Sequence, residues 1–155
     1  TLKTQTMKYL KLIILLCGGL AVAQIQTPQP SPSTTLEQVV GLTEVKIEYS
    51  RPAMRGRTIM GDLVPYGSLW RTGANKNTTL SFSDPVTVGG QALAAGTYAL
   101  FTRPGKSLWE VFFYTETENW GTPQEWQSKS VAAVIEVPTQ SLAEPVESFS
   151  ISIGE

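Results

Sequence analysis

The sequence of 155 residues contains no histidine, so it lacks both the commonest general base at neutral pH and the commonest transition-metal ligand. A Ser-His-Asp site, a Cys-His site and a histidine-bound zinc site are therefore excluded. The sequence also contains no D-x-[DN]-x-[DN]-G loop that would indicate a calcium site. We predict no metal and no cofactor, and we assign no catalytic residue.

The sequence contains a single cysteine, Cys17, which lies within an apolar segment near the start of the chain. Lipid anchoring through this cysteine would require a small residue before it, and Leu16 stands there instead. The pattern therefore favours loss of Cys17 with a cleaved leader. The remaining chain would form no disulfide and would offer no thiol nucleophile.

Residues 1–23 are predicted to be a signal peptide with a few residues upstream of it. Lys8 and Lys11 give a basic start, residues 12–16 form the apolar core, and the small residues that end at Ala23 mark the cleavage site. The apolar run is shorter than the roughly 20 residues of a membrane-spanning helix. The alternative is a buried N-terminal helix. The pattern favours a periplasmic or secreted protein whose mature chain does not span a membrane.

The mature chain is acidic, because residues 24–155 contain nine basic and thirteen acidic residues, a net charge of −4. An acidic domain is a poor general binder of nucleic acid or of anionic lipid. We therefore predict no nucleic-acid partner.

The expected organisation is a Pro-rich linker over residues 24–35 followed by a single β-rich domain over residues 36–155. Residues 43–50 alternate apolar and polar side chains with period two, which predicts a strand with one buried face. Short strands and turns follow, including a hairpin at Gly89 and Gly90. The predicted strands are 78–82, 86–88, 91–93, 97–102, 108–114, 131–137 and 149–153.

This pattern predicts an all-β fold, either an antiparallel β-sandwich or an open barrel of about seven or eight short strands. One long loop, residues 51–77, interrupts the strands, and we leave open whether residues 60–66 form a short helical turn. The chain ends directly after residues 149–153, so the last strand either completes the sheet or belongs to a domain that continues.

Four of the five arginines lie in the stretch 49–79, and three of them are the leading candidates for a binding site: Arg51, Arg57 and Arg71. A guanidinium group is always charged, and its planar donors suit a carboxylate, sulfate or phosphate. The alternative is that these arginines hold the loop in place through backbone carbonyls or acidic neighbours. Arg55 lies between turns and is expected to be solvated.

Asn75 and Trp120 complete the set of candidate ligand-binding residues. Asn75 lies in a turn rich in hydrogen-bonding groups and could orient a ligand hydroxyl, although a plain turn is the favoured explanation. Trp120 and Trp126 lie in a polar loop, where an exposed indole could stack on a sugar ring. Trp109 is expected in the core, and Trp70 is expected to anchor the loop.

Six ordered motifs resemble one family of secreted bacterial proteins, a domain of unknown function numbered twenty-nine eleven. They are YSRP (49–52), GR (56–57), LVPYG (63–67), WRTGAN (70–75), AGTYALFT (95–102) and NWG (119–121). The resemblance runs from about residue 38 to residue 153. It implies an exported β-rich domain with no established activity, substrate or cofactor. It also implies a further strand pair after residue 153, which this sequence does not contain.

Three functions remain open from the sequence. The leading hypothesis is a non-catalytic binding module whose Arg/Asn-rich loop takes a small anionic or sugar-like ligand. The second is a structural or envelope-assembly domain without a small ligand. The third is a hydrolase or lyase that uses carboxylates and arginines, for which pairs such as Glu116 and Glu118 give weak support. The sequence does not predict an oligomeric state.

Overall fold

The computed structural model describes residues 27–154. The predicted signal peptide and Cys17 lie outside this range. The described chain forms eight strands: β1 (Ser33–Val40), β2 (Thr43–Ser50), β3 (Thr78–Phe82), β4 (Val86–Val88), β5 (Gln91–Leu93), β6 (Gly96–Pro104), β7 (Leu108–Tyr114) and β8 (Val131–Pro138). Six of them form an antiparallel sheet in the order β1-β2-β3-β6-β7-β8, and β4 pairs with β5. The prediction of an all-β antiparallel fold is confirmed, and the sheet is open.

The strand β2 shows how the alternation in the sequence determines which face is buried. Ile47 and Tyr49 are buried, whereas Glu44 and Glu48 on the opposite face are exposed. Successive side chains of a strand point to opposite faces, so a period of two separates a core face from a solvent face. The bounds of β2 match the predicted strand over residues 43–50.

The β4–β5 hairpin turns at Gly89 and Gly90, as predicted. Both glycines have positive φ, 55° and 82°, which is the conformation that a two-residue turn matched to strand twist requires. The hairpin lies over the apolar face of the large sheet, and a β-carbon at Gly89 would stand 2.8 Å from Cγ2 of Ile135. The tight approach of the turn to β8 therefore depends on glycine at this position.

Two apolar clusters cover the two faces of the sheet. The first contains Phe82, Leu93, Tyr98, Phe113 and Ala133 and lies under the β4–β5 hairpin. The second contains Ala99, Phe101, Phe112 and Tyr114, with Leu69 and Trp126 packed against it. The Trp126 ring stacks on Tyr114 with the ring centroids 4.4 Å apart. Trp126 therefore covers the core, so of the two candidate tryptophans it is not the one available to stack on a sugar at the surface.

Two local predictions differ from the structure, and the conformation of residues 60–66, left open by the sequence, is now defined. β1 begins at Ser33, so the end of the predicted linker is a strand that pairs with β2 along its whole length. Residues 60–66 form turns rather than a helical turn, and the short helix that is present is a 3₁₀ helix at Ser128–Ser130. Residues 149–153 do not form a strand. Backbone pairing is limited to the N–H of Phe149, which donates to the carbonyl oxygen of Pro52 at 2.9 Å, and the next contacts are with the side chains of Arg51 and Tyr49.

Candidate ligand cavity

A cavity of about 770 Å³ opens where β2 ends and β3 begins. The long loop 51–77 forms two of its walls, one from residues 52–64 and one from residues 70–74, and the segment 142–149 forms the third. Most of the lining is apolar, and its larger aliphatic members are Met54, Ile59, Met60, Leu63, Val64, Leu142 and Val146. A concave, mainly apolar site with a few polar groups is the usual form of a small-molecule site.

Three charged residues contribute to this lining: Arg57, Arg71 and Glu147. Two of the predicted site residues, Arg57 and Arg71, therefore come together at the cavity. Arg51, Asn75 and Trp120 are not among its lining residues.

Arg51 fastens the C-terminal segment to the end of β2. Its Nε donates to the carbonyl oxygen of Phe149 at 3.0 Å, and its Nη2 donates to Oγ of Ser150 at 2.8 Å. Tyr49 strengthens the same junction, because its ring packs edge-on against Phe149 with the centroids 5.8 Å apart. These contacts support the structural alternative for Arg51.

Arg57 also donates to acceptors within its own loop. Its Nε donates to the carbonyl oxygen of Met54 at 2.9 Å, and its Nη2 donates to the carbonyl oxygen of Ala53 at 2.7 Å. The side chain is exposed at the cavity rim. Arg57 therefore shapes the wall that contains Met54 and brings a positive charge to the rim.

Arg71 differs from these two arginines, because its Nε is buried and has no hydrogen-bond partner. Its Nη1 lies 3.9 Å from the position that a β-carbon at Gly121 would occupy, so the guanidinium reaches toward the loop that carries Trp120. The salt bridges within the described part of the chain involve other side chains. A buried donor without an acceptor is unfavourable by about 1–3 kcal/mol and calls for an explanation.

Backbone strain lies directly beside Arg71. Thr72 has a φ of 56°, in the left-handed region that a β-branched residue rarely adopts. The turn is held by the hydroxyl of Thr72, which donates to Oγ1 of Thr102 at 3.0 Å, and by Thr78, whose hydroxyl donates to the carbonyl oxygen of Thr72 at 2.6 Å. Strain of this kind costs about 1–3 kcal/mol and is concentrated at functional sites.

Asn75 and Trp120 lie beside the cavity walls. Nδ2 of Asn75 contacts the carbonyl oxygen of Ser31 at 3.3 Å and Oγ of Ser50 at 3.4 Å, and its φ of 59° is one that asparagine tolerates well. Trp120 is 80% exposed, and its backbone bridges to Lys76. Asn75 thus stabilises a turn, and Trp120 presents its indole to solvent outside the cavity.

Glu147 contributes to the cavity wall through contacts that no sequence motif indicates. Its carboxylate accepts a hydrogen bond from the backbone N–H of Arg55 at 2.8 Å, and its carbonyl oxygen accepts one from the N–H of Met54 at 2.8 Å. Glu147 is 92 positions away from Arg55, so no local motif could have connected the two. Arg55 was expected to be solvated. It is exposed, and its Nη2 also donates to the carbonyl oxygen of Pro30 at 3.2 Å.

No group of three or more His, Cys, Asp or Glu side chains within residues 27–154 could hold a metal ion. Nor does any helix in this range have the length and apolar character needed to cross a membrane.

Residues 31–155 match the model of a family whose description reads "Protein of unknown function (DUF2911)". The matched range contains every strand and every wall of the cavity. Comparisons with curated proteins and with solved structures found no match.

Proposed function

The chain belongs to the DUF2911 family, and we propose that it is a non-catalytic binding domain whose cavity takes a small molecule with an apolar body and one anionic group. The observation that carries this proposal is the position of Arg71 in the wall of a mainly apolar cavity, without an ion-pair partner among residues 27–154.

The chemistry of Arg71 supports an anionic group on the ligand. A guanidinium offers parallel donors that fit the two oxygens of a carboxylate, or two oxygens of a phosphate or sulfate. The strained turn at Thr72 supports the same role, since it fixes the backbone next to the guanidinium.

The remaining lining supports an apolar body. Met54, Ile59 and Met60 lie on the first wall, and the Trp70 ring of the second wall packs edge-on against Phe149 of the third, with their centroids 5.2 Å apart. Such a surface gains free energy when it covers apolar ligand area, at about 25 cal/mol per Å². A sugar is the weaker fit, because the exposed Trp120 is not one of the lining residues.

A thermal-shift titration tests the proposal with matched probes. Octanoate and octanol have similar apolar bodies and differ in charge, whereas acetate has the charge without the body. We expect octanoate to raise the melting temperature of the protein and the other two probes to have little effect. At a ligand concentration 100 times Kd, the free energy of unfolding should rise by about 2.7 kcal/mol.

Two variants make the titration specific. Arg71→Met should abolish the response to octanoate, because it removes the proposed anion partner. Arg55→Met removes the same charge from an exposed residue outside the lining and should retain the response. Equal responses to octanoate and octanol, or loss of the response in both variants, would refute the assignment to Arg71.

A structural domain without a small ligand is the second candidate, and the contacts of Arg51 and Arg57 favour it. Both side chains bind backbone carbonyls of their own chain. No response to any probe, together with a destabilised Arg71→Met variant, would favour this candidate. A two-carboxylate hydrolase has less support, because Glu147 is the single acidic residue among the lining residues.

The proposed location is the periplasm or the cell exterior, which the signal pattern of residues 1–23 supports. Mass spectrometry of the exported protein should find an N-terminus near Gln24. A protein that keeps Met7 and stays in the cytoplasm would contradict this location.

A further inference from the structure

The outer edge of β1 is free of any paired strand within residues 27–154, since β1 is the first strand in the order of the large sheet. One hydrogen bond fixes which backbone groups face outward. The N–H of Arg51 donates to the carbonyl oxygen of Pro32 at 2.9 Å, so these two residues form a hydrogen-bonded antiparallel pair. Such pairs recur at every second residue.

The pairing of β1 with β2 continues this alternation without interruption. The backbone groups of Thr34, Leu36, Gln38 and Val40 therefore face β2. Those of Ser33, Thr35, Glu37 and Val39 face outward. Four consecutive outward residues thus offer both an N–H and a carbonyl oxygen to a further strand.

The edge of β1 lacks the features that usually block strand addition, which are proline, a bulge or several charges. Residues 33–40 contain no proline, and their pairing register is unbroken. Their single charge, Glu37, has an oxygen 3.6 Å from Nζ of Lys46 on β2. The other edge of the sheet, β8, differs, since it ends at Pro138 and its pairing with β7 contains a register shift.

We propose that the edge of β1 is an interface at which two copies of this chain pair antiparallel and join their sheets around a twofold axis. A register centred on Leu36 sets Ser33 opposite Val39 of the second copy, and Thr35 opposite Glu37 of the second copy. All four outward residues then form hydrogen-bonded pairs.

This register also avoids a like-charge contact and pairs apolar side chains. A register centred on Glu37 would place two glutamates opposite each other, which is destabilising on adjacent strands. The register centred on Leu36 avoids this contact and sets the two Leu36 side chains opposite each other. It also brings Val40 of each copy, which is 46% exposed, opposite Pro32 of the other. Because the β8 edge is shielded, association stops at the dimer.

Sedimentation and light scattering over a concentration series test the proposal. The mass of the purified protein should rise from that of a monomer toward twice that value. Thr35→Pro should remain monomeric, because it removes an outward N–H and leaves the hydrogen bonds to β2 intact. Thr35→Ser keeps the N–H and should dimerise like the original. A monomer at every concentration, or a dimer that Thr35→Pro leaves unchanged, would overturn the proposal.

Hydrogen exchange of the unsubstituted protein gives a second test that does not depend on how the proline variant folds. The amides of Thr35 and Glu37 should exchange more slowly as the protein concentration rises. The amides of Thr34 and Leu36 should be protected at all concentrations, because they already face β2. Concentration-independent exchange at Thr35 and Glu37 would contradict the interface.

Discussion

Replacing Arg71 by methionine should stabilise the unliganded protein, although most substitutions of ordered residues destabilise. Methionine fills a similar volume and has no donor, so the substitution removes a buried Nε that lacks an acceptor. An unsatisfied buried donor costs about 1–3 kcal/mol. Because the Arg71 side chain is partly accessible, we expect a gain near the low end, about 1 kcal/mol.

The same substitution at Arg57 is the matched control, and it should have the opposite effect. Arg57→Met loses two hydrogen bonds, from Nε to Met54 and from Nη2 to Ala53. Each such bond contributes about 0.5–1.5 kcal/mol, and the exposure of Arg57 lowers the total to about 1 kcal/mol. The two variants change charge and side-chain type identically. Opposite changes in the free energy of unfolding would therefore show that the effect depends on whether the guanidinium has hydrogen-bond acceptors.

Chemical denaturation and thermal melting of the unliganded variants measure both changes. One kcal/mol corresponds to a shift of about 3–5 °C for a domain of this size. We expect Arg71→Met to melt higher than the original protein and Arg57→Met to melt lower. If both variants melt lower by similar amounts, Arg71 is a structural residue and the argument for an anion site fails.

Two further predictions concern the strands. Gly89→Ala should destabilise the protein by about 2–4 kcal/mol, because of its positive φ and the contact with Ile135. Gly90→Ala has open space around it and should cost about 1–2 kcal/mol, from its positive φ alone. Equal melting temperatures of the two variants would show that the hairpin moves freely over β8. The hydrogen bond to Glu48 raises the pKa of Lys46 above 10.5. The small contribution of this pair to stability is therefore present at neutral pH and is lost as the pH rises through the raised pKa. NMR titration should place the pKa of Lys46 lower in Glu48→Gln, and an unchanged value would contradict the pairing.

The sequence predicted the strands that pack on the core, including the edge strand β8, and missed the other edge strand, β1. β2 lies between two strands and packs on the core, so its period of two is clear. β1 has a paired neighbour on one side, and its inner face includes the polar residues Thr34 and Gln38. The prolines before Ser33 also led to the prediction of a linker in this part of the chain. β1 therefore gives a weaker periodic signal than β2.

Residues 149–153 alternate as clearly as β2, yet they do not form a strand. A strand needs a neighbour that supplies hydrogen bonds, and local pattern does not contain this information. Phe149 instead packs on Tyr49 and Trp70, and Arg51 binds its carbonyl oxygen. The tertiary contacts of one aromatic ring outweigh the local β propensity here.

The sequence identified the right loop for the candidate site and left the roles of its arginines open. Each arginine has the same chemistry in the sequence, and their roles depend on which acceptors lie within reach. Arg51 and Arg57 meet backbone carbonyls, whereas Nε of Arg71 meets none. Whether a donor already has an acceptor is a property of the folded chain, so the roles of the three arginines could be assigned only from the structure.

The junction between Arg51 and Phe149 also sets the order in which the domain can assemble. These residues are 98 positions apart, and the hydroxyl of Tyr49 reaches Ile151 across 102 positions. Contacts of such long range form late, because the entropy of closing a large loop must be offset first. The hairpins from β6 to β8 involve short separations and can form early. We therefore expect the cavity to be completed in the last step of folding, so a ligand would bind the finished domain without accelerating its early steps.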